Sequence, residues 1–75
     1  MSTLPVLSGK ECVKLLGKTG FKIRRQTGSH IILRKNSPFR QVVVPNHKQL
    51  DRGTLRSIIR AADLSIEEFL ELINQ

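Results

Sequence analysis

Two side chains in this sequence, His30 and His47, can move a proton near neutral pH without a perturbing environment, because an unperturbed imidazole titrates at about 6.5. His30 has the more suggestive setting. It follows the pair Gly28-Ser29, opens the apolar run Ile31-Ile32-Leu33, and is followed by Arg34-Lys35. Upstream, Lys22 and Arg24 alternate with Phe21 and Ile23. An imidazole among such cations suits proton transfer at a phosphodiester. The imidazole acts as general acid or base, which contributes about 10²–10⁴-fold. Lys22, Arg24, Arg34 or Lys35 then stabilise charge developing on the phosphate oxygens. Backbone N–H groups of Gly28-Ser29 can extend such a cradle. A strand-end histidine that only bonds its own turn is the plainer alternative, and the residues alone leave both readings open. His47 lies in a polar stretch after Pro45 and reads first as a loop or capping residue.

Other chemistries find little support. Cys12 is the sole cysteine, so a disulfide within the chain and a thiolate metal site are excluded, and its neighbours Val13, Leu15 and Leu16 mark it as a core residue. Glu11 and Asp51 are isolated acids in capping positions, so neither a metal nor another cofactor is expected. The N-terminal stretch through Pro5 has no basic start and no apolar run, which argues against a signal peptide. Apolar runs are far too short to span a membrane, and a cytoplasmic location is expected.

The charge distribution suggests a partner. The chain has 75 residues and a formal net charge of +7. All 13 Lys and Arg fall between Lys10 and Arg60, opposed there only by Glu11 and Asp51. From Ala61 onward there are acids (Asp63, Glu67, Glu68, Glu71) and no base. A basic body of this kind attracts polyanions, nucleic acid above all, through phosphate contacts and counterion release. So small a chain forms one domain with one core, and its site must be shallow and open.

Local signals order the elements that must position His30. Ser8-Gly9-Lys10-Glu11 is a capping box for a helix that turns Cys12, Val13, Leu15 and Leu16 inward, with Lys10, Lys14 and Lys18 outside. Gly20 suits the left-handed position that ends it. Residues 21–26 alternate as a half-buried strand, Thr27-Gly28 turns, and residues 29–35 return as a hairpin partner. A turn at Asn36-Ser37-Pro38 leads to a third strand over residues 41–44, stopped by Pro45. Asp51 is the expected N-cap of a second helix with the stripe Leu55, Ile58, Ile59 and Ala62. Gly53 in its first turn suggests a close backbone approach. Ser65-Ile66-Glu67-Glu68 is a second capping box, opening a helix with the stripe Ile66, Phe69, Leu70 and Ile73.

The order predicts an α+β two-layer sandwich, α-β-β-β-α(-α), with helices over one face of a three-stranded antiparallel sheet. The single domain covers residues 1–75, with a core over 8–62 and an acidic C-terminal helix over 65–75. Counting by twos places Phe21, Ile23, Ile31, Leu33, Val42 and Val44 on the covered face. The open face then carries Lys22, Arg24, His30, Ile32, Arg34 and Val43.

Taken in order, these stretches resemble one family. Leu15-Leu16 with Gly20-Phe21, then Gly28-Ser29-His30, then Val44-Pro45 with His47, then Gly53-Thr54-Leu55-Arg56-Ser57-Ile58-Ile59, and last Leu64, Glu68 and Phe69 are similar to the HicA (YcfA-like) toxins of toxin–antitoxin systems. No single motif is specific; the ordered set is. The resemblance implies a double-stranded-RNA-binding-domain-like fold and an endoribonuclease toxin, an mRNA interferase, held in check by a HicB-type antitoxin. It places the catalytic histidine on His30 and gives His47 at most a supporting role. The acidic ending over 65–75 is longer than the family pattern requires. With an antitoxin as partner, Ile32 and Val43 on the basic open face read as the apolar centre of its footprint, although scattered surface apolar residues are ordinary.

Two other functions compete with a metal-independent ribonuclease. A non-catalytic RNA-binding module of the same fold would use its lysines across a duplex and need no histidine. A structural protein of a ribonucleoprotein would share only the charge and size. Dependence on His30 separates the first reading from both.

Overall fold

In a computed structural model that describes residues 4–75, each helix begins at a side-chain cap. The start of the N-terminal stretch considered above, residues 1–3, lies outside the described residues. Helix α1 (Gly9–Gly17) opens with both halves of the expected box. The Glu11 N–H donates to Ser8 Oγ at 3.1 Å, and the Ser8 N–H donates to Glu11 Oε1 at 2.9 Å. Helix α2 (Arg52–Ala61) is capped by Asp51, which accepts from the Thr54 N–H at 2.7 Å and the Thr54 hydroxyl at 3.0 Å. Helix α3 (Ile66–Ile73) repeats the box with Ser65 and Glu68. Each cap satisfies N–H groups that the helix itself leaves unpaired.

Between α1 and α2 run β1 (Lys22–Thr27), β2 (His30–Asn36) and β3 (Phe39–Pro45), an antiparallel sheet with β2 in the centre. Gly28-Ser29 forms the β1–β2 turn, with Gly28 at φ +54 where a side chain would be strained. The third strand starts two residues earlier than its alternation suggests, because Asn36 pairs with Phe39 around the two-residue turn Ser37-Pro38.

The helices cover one face, as expected. Ile31, Leu33, Val42 and Val44 are buried beneath them with Leu16, Leu55, Ile58, Ile59, Ala62 and Phe69. Cys12 joins this core fully buried, and burial pushes its thiol up to about 12, far from a reactive thiolate. Ile23 departs from the expectation of a covered residue: it is 58% exposed. It pairs with buried Leu33, but α1 and α2 pack against β3 and leave the β1 edge uncovered. Helix α3 keeps most of its expected stripe, with Phe69 buried and Ile66 and Leu70 packed partly buried against the core, and departs from it only at the end. There Leu72 enters the core, while Ile73 stays 39% exposed. The Leu72 carbonyl is held from outside by Lys18 Nζ at 2.7 Å.

Gly53 makes no close approach; a methyl group there would meet only the Asp51 carboxylate at 3.5 Å. The crowded glycine is Gly9. A Cβ at Gly9 would run into the Pro45 carbonyl oxygen and lie 3.1 Å from Asn46 Cα. Its N–H donates to the His47 carbonyl at 2.9 Å.

Candidate active site

Cross-strand register arranges the open face in rows. Thr27, His30 and Pro45 form the first; Arg25, Ile32 and Val43 the second; Lys22, Arg34 and Gln41 the third; Asn36 and Phe39 the last. Rows follow one another every two residues, about 6.8 Å along the strands. The three strands contain no Asp or Glu, so this face is basic without internal compensation.

His30 is exposed at one end of the face. It borders a groove of about 740 Å³ between β3 and α2, where Gln41, Val43 and Pro45 face Asp51, Thr54 and Ser57. That volume accommodates a nucleotide-sized group, and the groove is open to solvent. The groove contains one carboxylate, Asp51. Its hydrogen bonds from the Thr54 N–H and then the Thr54 hydroxyl hold it below the usual carboxylate range, so it carries negative charge near neutral pH. The turn beside His30 is anchored too, since the Asn46 N–H donates to the Ser29 carbonyl at 2.6 Å.

A second concavity on the same face is lined by Arg24, Arg25, Ile32, Arg34 and Gln41. Arg34 is the most constrained of these cations. Its Nε and Nη2 donate to Gln41 Oε1 at 3.2 and 2.8 Å, and its guanidinium carbon lies 5.3 Å from the centre of the Phe39 ring. Among the described residues, no three His, Cys, Asp or Glu side chains gather as a potential metal ligand set. No helix among them is long and apolar enough to cross a membrane.

Comparison with known proteins decides the lineage. Residues 9–64 match the family model for the HicA toxin of bacterial toxin–antitoxin systems. The chain belongs to the HicA toxin family. A chain of a toxin–antitoxin complex from Streptococcus pneumoniae is similar in structure, with a TM-score of 0.67 and 36% sequence identity. The alignment covers 77% of this chain and 98% of that one. No curated protein sequence matches the chain.

In this HicA chain the residues singled out from sequence fall in four places. His30, Ile32, Val43, Lys22, Arg24 and Arg34 share the open face, with Ile32 directly opposite Val43. Gly28 and Ser29 form the turn at its His30 end. Lys35 points elsewhere: its ammonium sits 5.1 Å from the centre of the buried Phe21 ring, on the helix side. His47 lies apart from the His30 groove, in a groove with Ser8, Lys10, Asn46 and Lys48.

Arg25, Gln41, Phe39, Thr54 and Ser57 also line or border the site, and the sequence reading passed over them. A bulge explains Arg25. The register slips between Ile23 and Arg25, so Arg24 and Arg25 border the same concavity although strict alternation puts them on opposite faces. Phe39 depends on the two extra residues of β3, Gln41 follows from the same alternation that places Val43, and Thr54 and Ser57 depend on the docking of α2.

Proposed function

We propose that this HicA-family protein is a metal-independent endoribonuclease toxin acting on mRNA in the cytoplasm, with His30 as the catalytic side chain. The observation that carries the reading is the exposed imidazole at the mouth of an open groove, at the end of a sheet face whose middle rows carry Lys22, Arg25 and Arg34 and whose strands contain no acid. In the reaction, the 2′-oxygen attacks the adjacent phosphorus and the bond to the 5′-oxygen breaks. His30 takes the proton from the first oxygen or supplies one to the second, and solvent water exchanges the other. Lys22, Arg24, Arg25 and Arg34 draw the RNA backbone onto the face and offset phosphate charge. Gly28-Ser29 backs the reacting phosphate. His47, beside Lys10 and Lys48, takes a supporting contact with a more distant part of the backbone, and Lys35 contributes only at the rim.

Control comes from a HicB-type antitoxin. The toxin–antitoxin complex found for the similar S. pneumoniae chain supports an antitoxin partner here. The paired Ile32 and Val43, with Val43 46% exposed, give such a partner an apolar centre inside a basic rim. An acidic antitoxin seated there would block access to His30.

The deciding experiment is cleavage of a mixed mRNA by purified protein with EDTA present, comparing the parent with His30→Ala. Cleavage that survives EDTA and falls by about 10²–10⁴-fold in the variant is the expected result. RNA binding without cleavage by either protein would instead make this a binding module with a structural histidine.

A further inference from the structure

Phe39 has no role in the reading above and no place in the core. The other two phenylalanines, Phe21 and Phe69, are 4% and 0% exposed, whereas Phe39 is 60% exposed. It stands in the last row of the open face, on the edge strand β3. Arg34 lies over its ring, fixed there by two hydrogen bonds to Gln41, the residue directly opposite Arg34. A guanidinium has five N–H donors, so three remain available.

We propose that Phe39 and Arg34 form a stacking subsite for one unpaired nucleobase of a single-stranded RNA whose backbone runs along the open face from His30. The proposal deepens the RNA reading given above and rests on it. Three features favour a nucleobase on a single strand. Aromatic rings and arginine planes are the surfaces on which unstacked RNA bases settle, and a ring with a guanidinium across it offers both together. Gln41 holds the arginine in advance, so little freedom is lost when a base arrives. The neighbouring cations Arg24, Arg25 and Lys22 supply the backbone track that stacking alone lacks.

The position also sets a ruler. Six residues of β2 separate the His30 row from the Phe39 row, or about 20 Å. A stacked strand covers that distance in about six nucleotides at 3.4 Å each, and an extended strand in fewer. The base on Phe39 is therefore read several nucleotides from the bond at His30, which gives the toxin a means of choosing where along an RNA it acts. A base already paired in a duplex cannot stack there without being pulled out, so the subsite selects single strands, loops and ends.

The test is equilibrium binding of a fluorescein-labelled single-stranded oligoribonucleotide to the His30→Ala protein, which keeps the RNA intact, with and without Phe39→Ala. Losing a base stack is expected to weaken binding by about 5- to 150-fold. Phe39→Trp restores it, and the same oligonucleotide annealed to its complement shows no dependence on residue 39. One abasic substitution, walked along the oligonucleotide, should reproduce the loss at a single position and make Phe39→Ala silent there. Equal binding by Phe39 and Phe39→Ala proteins, or equal losses on single strand and duplex, would overturn the subsite and return Phe39 to a protein-contact role. Failure of the parent to cleave RNA does not decide the matter: Phe39-dependent binding would still establish the subsite. Absence of any RNA binding by the parent would remove the subsite and the RNA reading together.

Discussion

His30 stands directly opposite Pro45 across the β2–β3 ladder, and one residue beyond them the Asn46 N–H closes onto the Ser29 carbonyl at 2.6 Å. Pro45 has no N–H to donate, so the strand ends there and the chain leaves as the loop that reaches α2. That loop is held from the N-terminal side. The Gly9 N–H binds the His47 carbonyl at 2.9 Å and the Leu50 N–H binds the Leu7 carbonyl at 2.8 Å. The setting of the imidazole thus depends on residues more than twenty positions upstream of it.

Gly9 should accordingly be intolerant of a side chain. Gly9→Ala drives a methyl group into the Pro45 backbone, and an overpacked site of this kind costs about 1–3 kcal/mol. Urea unfolding should show that loss, with RNA cleavage declining alongside it. Gly17→Ala is the control. Nothing lies within 4 Å of its added Cβ, and the expected effect runs from neutral to about 1 kcal/mol stabilising.

Asp51 predicts a pH dependence of stability. Its folded pKa is depressed by the Thr54 hydrogen bonds, so below the ordinary value of 3.8 the unfolded chain takes up a proton before the folded one does. The stabilisation is fully present above 3.8 and is lost as pH falls through the lowered folded value. Asp51→Asn keeps a competent cap without the titration. Urea midpoints of the two proteins, followed from neutral pH down through the carboxylate range, should converge at the acid end. A constant gap would show that the carboxylate charge is not what the cap uses.

Arg25 should behave as a phosphate contact. If it neutralises one phosphate of a single strand, Arg25→Gln reduces the slope of log affinity against log salt by about 0.7. Lys35→Gln should change the slope less, because Lys35 leans over Phe21 on the helix side. A salt titration of RNA binding for the three proteins checks both statements, and equal slopes throughout would remove Arg25 from the RNA track.

Ile32 and Val43 carry the antitoxin prediction. A charge placed in the centre of an interface falls where the few residues that dominate binding cluster, each costing at least about 30-fold in affinity when removed. Ile32→Asp with Val43→Asp should lower affinity for a cognate HicB-type antitoxin by that factor or more. Circular dichroism and the urea midpoint would confirm that the fold is intact. Unchanged binding would place the antitoxin on another face.

Much of this protein is legible in its sequence because the signals are local. The boxes Ser8–Glu11 and Ser65–Glu68 and the Asp51 cap operate within one helical turn. Gly28 turns the hairpin within two residues, which is enough to put His30 at the start of β2. Strand alternation then separates Ile31 and Leu33 from Ile32 and Arg34. The rest depends on contacts between residues distant in sequence. A bulge turns Arg25 onto the face of Arg24, and no residue type announces it. The helices settle against β3, which leaves Ile23 exposed although its pattern matches that of buried Leu33. Gly9 and Gly53 look alike as letters, yet the β3–α2 loop packs against Gly9 alone. The two histidines occupy separate grooves, and Phe39 meets Arg34 across the hairpin, because cross-strand register and helix docking bring such groups together or hold them apart. Short-range hydrogen bonds and side-chain periodicity belong to the sequence; which faces meet is settled only when the single core closes.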